Sequence, residues 1–316
     1  LARLSESAIA DLSAAMLGDA GRQPHVLDLI QRETEGNAFF MVEVVRALAE
    51  EAGRLDAIGR TALPEKVFAG GVLALVRRRL SRAPAEGTAL LRLAAVAGRE
   101  LDLAVLQTLL DTGAALPLRA ADLDRWLTGC ADAAVLEFVE QRWRFAHDKL
   151  RETVLLDLPE TDSRDANRQV AQALEAVYPT SPERAAALFG HWQKAGDEAK
   201  TLHYARAAGE YAFDIADFTG ARVFYEAALE LLPAEAADRA ARVAYVDVLE
   251  PLSNARNSVG DFAGAIQAAD MALELARTLD DPVRLSRALS RRGTVAWLRG
   301  DFAGAQVYLD EGLTLA

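Results

Sequence analysis

The stretch Gly260-Asp261-Phe262-Ala263-Gly264-Ala265 returns unchanged as Gly300-Asp301-Phe302-Ala303-Gly304-Ala305. A looser copy, Ala216-Asp217-Phe218-Thr219-Gly220-Ala221, lies upstream. The two identical copies are 40 residues apart, and the first pair is 44 apart, which is the length of one helix–turn–helix unit and the mark of a stacked helical array. Around each copy the apolar residues recur at three- and four-residue spacing, as in Leu285 to Leu298 before one copy and Phe262 to Leu279 after another. Each unit therefore reads as a helical hairpin. Gly-Asp supplies a permissive turn and an oxygen to cap the second helix, while the Phe and the following Ala are expected to face the partner helix. Phe218, Ala221, Phe262, Ala265, Phe302 and Ala305 are the expected packing residues of the seam, with the ring filling it and the small residue letting the helix axes approach.

These units resemble tetratricopeptide repeats. Gly209 and Gly293 fall at the small position of the first helix, and Tyr225, Ala228 and Pro233 at the aromatic, small and terminating positions of the second. The unit between them departs, with Ser253 and Arg256 in its first helix and no closing proline. Pro251 lies inside that helix and is expected to kink or shorten it. A fainter unit is expected around His191, Trp192, Gly196, Asp197 and Tyr204, so the resemblance covers about residues 185–316.

The chain has 316 residues, a formal charge of −12, 51% hydrophobic and 26% charged residues, which describes an ordinary globular protein with room for two or three domains. Such acidity repels phosphate backbones and anionic lipid surfaces, and excludes general nucleic-acid and membrane binding. A single cysteine, Cys130, allows no internal disulfide, and the longest apolar runs are far shorter than a membrane span, so a reducing cytoplasm is the expected location. The first residue is Leu1 and the last repeat stops at Leu315-Ala316 without a polar capping helix, which reads as a piece of a longer protein. The basic cluster Arg77-Arg78-Arg79 with Arg82 lies on an expected helix from Val67 to Leu80. Consecutive arginines point in different directions there, so the cluster reads as a solvated, ion-paired face, with a phosphate or acidic-partner contact as the alternative.

Residues 24–50 read as one hairpin: Pro24 opens a helix ending near Glu33, Gly36-Asn37 breaks it, and Phe40, Val44 and Leu48 stripe the next. Leu63-Pro64 precedes a further series: Leu90 to Ala97, Leu103 to Leu110 and Asp122 to Ala134 as helices, then strand-like Val135 to Glu140 and Trp143 to Ala146 around Gln141-Arg142, then a helix from Asp148. That order is a winged helix. Its recognition helix carries Asp122, Asp124 and Asp132 against Arg125 alone, so it is expected to repel DNA.

Two motifs in this half resemble those of signal-transduction ATPases with numerous domains, the STAND group. Thr34-Glu35-Gly36-Asn37-Ala38-Phe39-Phe40 is similar to their lid motif Gly-Asn-Pro-Phe-Phe, whose proline packs on adenine; here Ala38 replaces it. Phe145-Ala146-His147-Asp148 is similar to their Met-His-Asp motif, in which the His contacts the β-phosphate of ADP and the Asp braces the loop. The resemblance implies nucleotide contacts for Asn37, Ala38, His147 and Asp148, made with a nucleotide-binding core that would precede Leu1, and ATP or ADP as the cofactor of such a parent. Position supports the His147 role, since a strand-to-helix junction offers free N–H groups and the positive end of a helix dipole. The alternatives stay open: Phe39 and Phe40 in a local core, Asp148 as a helix cap and His147 packed against the wing.

No Gly-x-x-x-x-Gly-Lys-Ser/Thr occurs, and His25, His147, His191 and His203 show no metal-ligand spacing. This stretch is expected to be non-enzymatic, without a cofactor or metal of its own, and Cys130 reads as a small buried hydrophobe. The expected architecture is mostly all-α: a helical lid segment over 1–60, a winged-helix domain over 61–160, and a tetratricopeptide-like α-solenoid over 161–316. The implied function is the sensor arm of a bacterial STAND-type ATPase, with a protein, peptide or small inducer on the repeat groove and the nucleotide-binding domain in cis. The alternative is a freestanding repeat scaffold for protein–protein interaction.

Overall fold

The computed structural model describes residues 4–34, 36–52, 71–112, 117–233 and 235–315. Leu63-Pro64, the expected helix start at Val67 and the side chains of Phe39 and Leu48 lie outside the described residues. The chain is predominantly helical and forms two compact units, 1–166 and 167–316.

In the first unit α1 (Glu6–Leu17), α2 (Pro24–Thr34), α3 (Ala38–Ala52) and α4 (Gly71–Leu80) share one core, in which Ile9, Val26, Ile30, Met41, Val44 and Leu75 are buried. Gly36 joins α2 to α3 at φ 79°, a left-handed turn that a side chain would strain. Next come α5 (Thr88–Ala97), β1 (Glu100–Leu101), α6 (Leu103–Thr112), α7 (Leu123–Asp132), β2 (Leu136–Val139), β3 (Arg142–Phe145) and α8 (Asp148–Leu156). The strands form one antiparallel sheet of order β1-β3-β2, with Leu101 opposite Trp143 and Leu136 opposite Phe145. The two-residue strand β1 is an addition to the expected series; it is too short to show an alternating pattern. Trp126, Leu127, Cys130, Leu136, Phe145 and Leu150 are essentially fully buried.

Arg77, Arg78 and Arg82 are exposed as expected of a solvated, ion-paired face, and Arg79 departs from it. Arg77 pairs with Asp157 on the surface, but Arg79 is 8% exposed, pairs with the equally buried Glu43 of α3 and donates to the Ala134 carbonyl. A buried guanidinium is tolerated because both ends of its fork meet oxygen.

After α9 (Glu160–Val177), which runs from the first unit into the second, the chain folds into α10 (Ala185–Ala195), α11 (Glu198–Asp214), α12 (Phe218–Glu230), α13 (Arg239–Ser258), α14 (Phe262–Arg277), α15 (Pro282–Leu298) and α16 (Phe302–Leu313). The pairs α11–α12, α13–α14 and α15–α16 are three tetratricopeptide-like hairpins. Asp217, Asp261 and Asp301 are the N-caps of the second helices, with φ near −80° and ψ near 72°, each accepting from a glycine N–H three residues on at 2.9, 3.0 and 2.9 Å. The preceding residues Ala216, Gly260 and Gly300 have φ of 61°, 83° and 81°. The repeated six residues are thus one turn built three times.

Ala221, Ala265 and Ala305 are buried in the seams, as expected. The phenylalanines are not. Phe262 is 44% and Phe302 63% exposed, and Phe218 is half-buried with its ring edge-on to Phe213 at 5.0 Å. Because the Asp is the cap, the Phe is the first residue of its helix, and the face that meets the partner begins three residues later at the Ala. Phe262 instead lies under the Arg299 guanidinium of the next hairpin, 5.5 Å from its ring centroid. The close approach of helices falls to Gly209 and Gly293, where an added Cβ would stand 2.7 Å from the Tyr225 ring and 2.8 Å from Leu309. At the matching position Ser253 is buried and donates to the Ala265 carbonyl at 2.8 Å.

Of two further expectations, the shortening of one helix is overturned and the faint unit is present but shifted in phase. Helix α13 is not shortened by Pro251; it runs from Arg239 to Ser258, held by packing on α12, α14 and α15, and the proline removes only the N–H that would bond the Asp247 carbonyl. The faint unit at 191–204 is a real hairpin, with Gly196 left-handed and Asp197 capping α11. It is out of phase, since Asp197 precedes Asp217 by only 20 residues and α11 already belongs to the next hairpin. What fixes α10 and α9 is polar: His191 with Asn167 at 2.9 Å, and Trp192 and Lys200 with Glu175 at 3.0 Å.

Candidate functional site: the groove of the repeats

On each first helix of a hairpin, one stripe packs on its own second helix and another looks into a shared groove. Helix α11 places Arg206, Glu210, Phe213 and Asp214 there, α13 places Asp247, Glu250, Pro251 and Asn254, and α15 places Arg284, Arg287, Ser290, Arg291 and Thr294. The spacings of three and four residues put each set on one helical face. The groove has a volume of about 780 Å³, within the range of small-molecule and peptide sites.

Its charges are ordered by wall. The α11 side carries the exposed carboxylates Glu210 and Asp214 together with Arg206, the α15 side three arginines, and the α13 floor between them the half-buried Asp247 and the buried Glu250. Asp247 Oδ1 and Oδ2 accept from Arg284 at 3.2 and 3.3 Å, and Arg206 approaches the same group at 3.8 Å. Glu250 Oε2 lies 2.7 Å from Arg287, whose side chain is 58% exposed. Burial pushes the Glu250 carboxyl above its usual range, against the pull of Arg287 and Arg291. Burial likewise lowers Arg291, with Glu250 opposing. Glu250 Oε1 and Arg291 Nε are both buried without a hydrogen-bond partner. A groove that presents guanidinium, carboxylate, amide and hydroxyl groups at fixed spacing can read a polar segment. Apart from Pro251, read there only as a helix breaker, none of these groove residues was singled out in the sequence. The available signal was the run of charges at three- and four-residue spacing on the first helices, but nothing in it says which stripe faces inward.

In the first unit His147 is the N-cap of α8, its Nδ1 accepting from the Lys149 N–H at 3.1 Å. That bond places the proton of the neutral ring on Nε2, and burial lowers its pKa. The cap belongs to His147, correcting the alternative that gave it to Asp148. Asp148 is the first helical residue and pairs with Arg99 at 3.3 Å. Asn37 and Ala38 stand at the start of α3, the Asn37 carbonyl accepting from Met41 N–H at 3.0 Å. The two motifs therefore occupy two helix starts, on α3 and α8, both of which pack on α4. Cys130 is fully buried and its thiol is pushed up to about 12, which leaves no thiolate. Among the described residues no group of three or more His, Cys, Asp and Glu could hold a metal, and no helix is long and apolar enough to cross a membrane.

No family model and no curated protein matches this chain. Among solved structures it is similar to MamA, at 16% identity and a TM-score of 0.30 over 49% of this chain and 90% of that one. It is also similar to a STAND protein with a tetratricopeptide repeat sensor from Pyrococcus horikoshii, at 13% identity and a TM-score of 0.33 over 99% of this chain and 54% of that one. At such values the turn and seam geometry, rather than either neighbour, identifies the repeats.

Proposed function

We propose that the repeats are a recognition module that holds a segment of a partner protein in the groove between α11, α13 and α15. The observation that carries this is the groove itself: three successive first helices turn one largely polar stripe each toward a common space, and the half-buried Asp247 and buried Glu250 of α13 hold Arg284 and Arg287 that border it. Panning random dodecapeptides on the full chain tests it. Selected peptides should lose binding to Arg284→Glu and should compete with one another; peptides indifferent to that change would refute the groove as the site.

For the first unit we infer a winged helix of the STAND type that holds an adjoining nucleotide-binding domain in its ADP state in the cytoplasm. Support comes from the sheet order β1-β3-β2 among three short helices, and from His147 two residues after the end of β3 with Nε2 as its donor. Binding in the repeats would then favour the ATP-loaded form, and the chain described here would act by binding rather than catalysis. In the complete gene product His147→Asn keeps the helix cap but removes the imidazole, so it should shorten ADP retention and raise basal output. Unchanged retention and output would leave the repeats as a scaffold alone.

A further inference from the structure

Within the groove, two unsatisfied atoms face one another in kind. Glu250 Oε1, on a residue 5% exposed, is an acceptor without a donor, and Arg291 Nε is a donor without an acceptor. They come from neighbouring helices α13 and α15, and both residues line the same space. Leaving a buried polar atom unpaired is costly, and charged groups are the costlier case. Asp247, the other carboxylate of the α13 floor, is not in this condition, since it uses both oxygens on Arg284.

A bound anion could answer Arg291 but would meet the Glu250 carboxylate; a bound cation could answer Glu250 but would meet the guanidinium. A neutral planar group with an N–H and a C=O answers both at once. We propose that Glu250 and Arg291 form a subsite for an amide of the bound segment, its N–H donating to Glu250 Oε1 and its C=O accepting from Arg291 Nε. This rests on the groove being the site of a protein segment, and it names what the segment must offer: a main-chain amide in extended conformation, or an Asn or Gln side chain. Arg287, held to the other oxygen of Glu250 and largely exposed, is the side chain that turns aside as the amide enters. Asn254 and the hydroxyls of Ser290 and Thr294 line the same groove and extend its polar surface beyond the pair.

The test uses the ¹⁵N-labelled full chain and three small probes of similar size: acetamide, N-methylacetamide and acetate. The readout is the arginine Nε–H resonances, with that of Arg291 identified by its loss in Arg291→Lys. Either amide should move the Arg291 signal saturably, and acetate should bind more weakly. Response to acetamide alone assigns a carboxamide side chain, and response to both admits the main-chain amide. Glu250→Met, which keeps the length but removes the acceptor, should weaken the amide response about tenfold, the ratio expected for a charge-assisted hydrogen bond. Glu250→Gln, which keeps a carbonyl acceptor, should retain most of it and controls for folding. No amide response, a stronger response to acetate, or an unchanged response in Glu250→Met would overturn the subsite. Peptide panning reads the groove independently, so peptides that bind there while both amides fail would overturn this inference and leave the groove reading standing.

Discussion

Gly209 and Gly293 occupy the same position in two hairpins, yet replacing each by alanine should shift stability in opposite directions. At Gly209 the new Cβ would stand 2.7, 2.8 and 2.9 Å from three atoms of the Tyr225 ring, so the ring must retreat by several tenths of an ångström. It has nowhere to go, because it is 2% exposed and packed with Ala212, Ala221, Leu252 and Ala255, all at 5% or less. Overpacking of that kind costs about 1–3 kcal/mol, against roughly 1 kcal/mol gained from replacing a helical glycine, which leaves about 1 kcal/mol of net destabilisation. At Gly293 the obstacle is the Leu309 side chain, which is 37% exposed and can rotate outward, and the Ala305 carbonyl at 3.3 Å, which has to give by only a few tenths of an ångström. There the helix gain survives, and about 0.5 kcal/mol of stabilisation is expected. Thermal unfolding should separate the variants by several degrees, at about 2–4 °C per kcal/mol for a unit of this size, and hydrogen exchange in α11 and α15 should place each change. Adding Tyr225→Leu to Gly209→Ala should relieve the clash, giving a non-additive cycle. Equal stabilisation by both alanines would refute the close approach of α11 to Tyr225.

Ala216 holds with a methyl group the left-handed turn that Gly260 and Gly300 make freely, so Ala216→Gly should raise the urea midpoint, by about 0.5 kcal/mol in stability. Burial lowers the pKa of His147, so the unfolded chain takes up the proton first: His147 costs stability as pH falls through the ordinary histidine value, and the loss levels off below its folded value. His147→Asn should keep the cap and flatten the urea midpoint of the first unit between about pH 7 and 5.5. Arg79→Met leaves Glu43 buried with only the longer contact to the half-exposed Arg46, and should cost about 3 kcal/mol, most of it recovered in Arg79→Met with Glu43→Leu, as measured by denaturant unfolding. Cys130 should resist iodoacetamide in the folded chain and react fully in denaturant, by mass spectrometry.

The repeats were readable because everything that makes their turn is local: a glycine for the left-handed residue, an aspartate for the cap, an alanine for the seam. What failed was phase within the turn. With Asp261 as the cap, as its oxygen suggested, Phe262 is the first helical residue and stands outside the seam, which the helix enters only at Ala265. The burial of Arg79 was equally hidden, since its partners Glu43 and Ala134 lie 36 and 55 residues away. The groove needed the hairpins assembled first: Asp247, Glu250 and Arg291 look like any solvated charges until α11, α13 and α15 are set side by side. His147 and Asp148 lie at the strand-to-helix junction read from the sequence, but their division of labour came from the Lys149 N–H, which bonds the imidazole.

The threefold turn bears on how such a chain could lengthen. Its left-handed residue, its cap and the N–H that the cap accepts all lie within five consecutive residues, so nothing outside that window is needed to stop one helix and start the next. A duplication whose ends fall between two such turns copies 40 residues together with their own punctuation, and the new hairpin meets neighbours shaped like those it left. Growth by insertion would then add a stripe to the groove without disturbing the existing ones, and the reach of the recognition surface could change by whole units while the first domain stayed as it was.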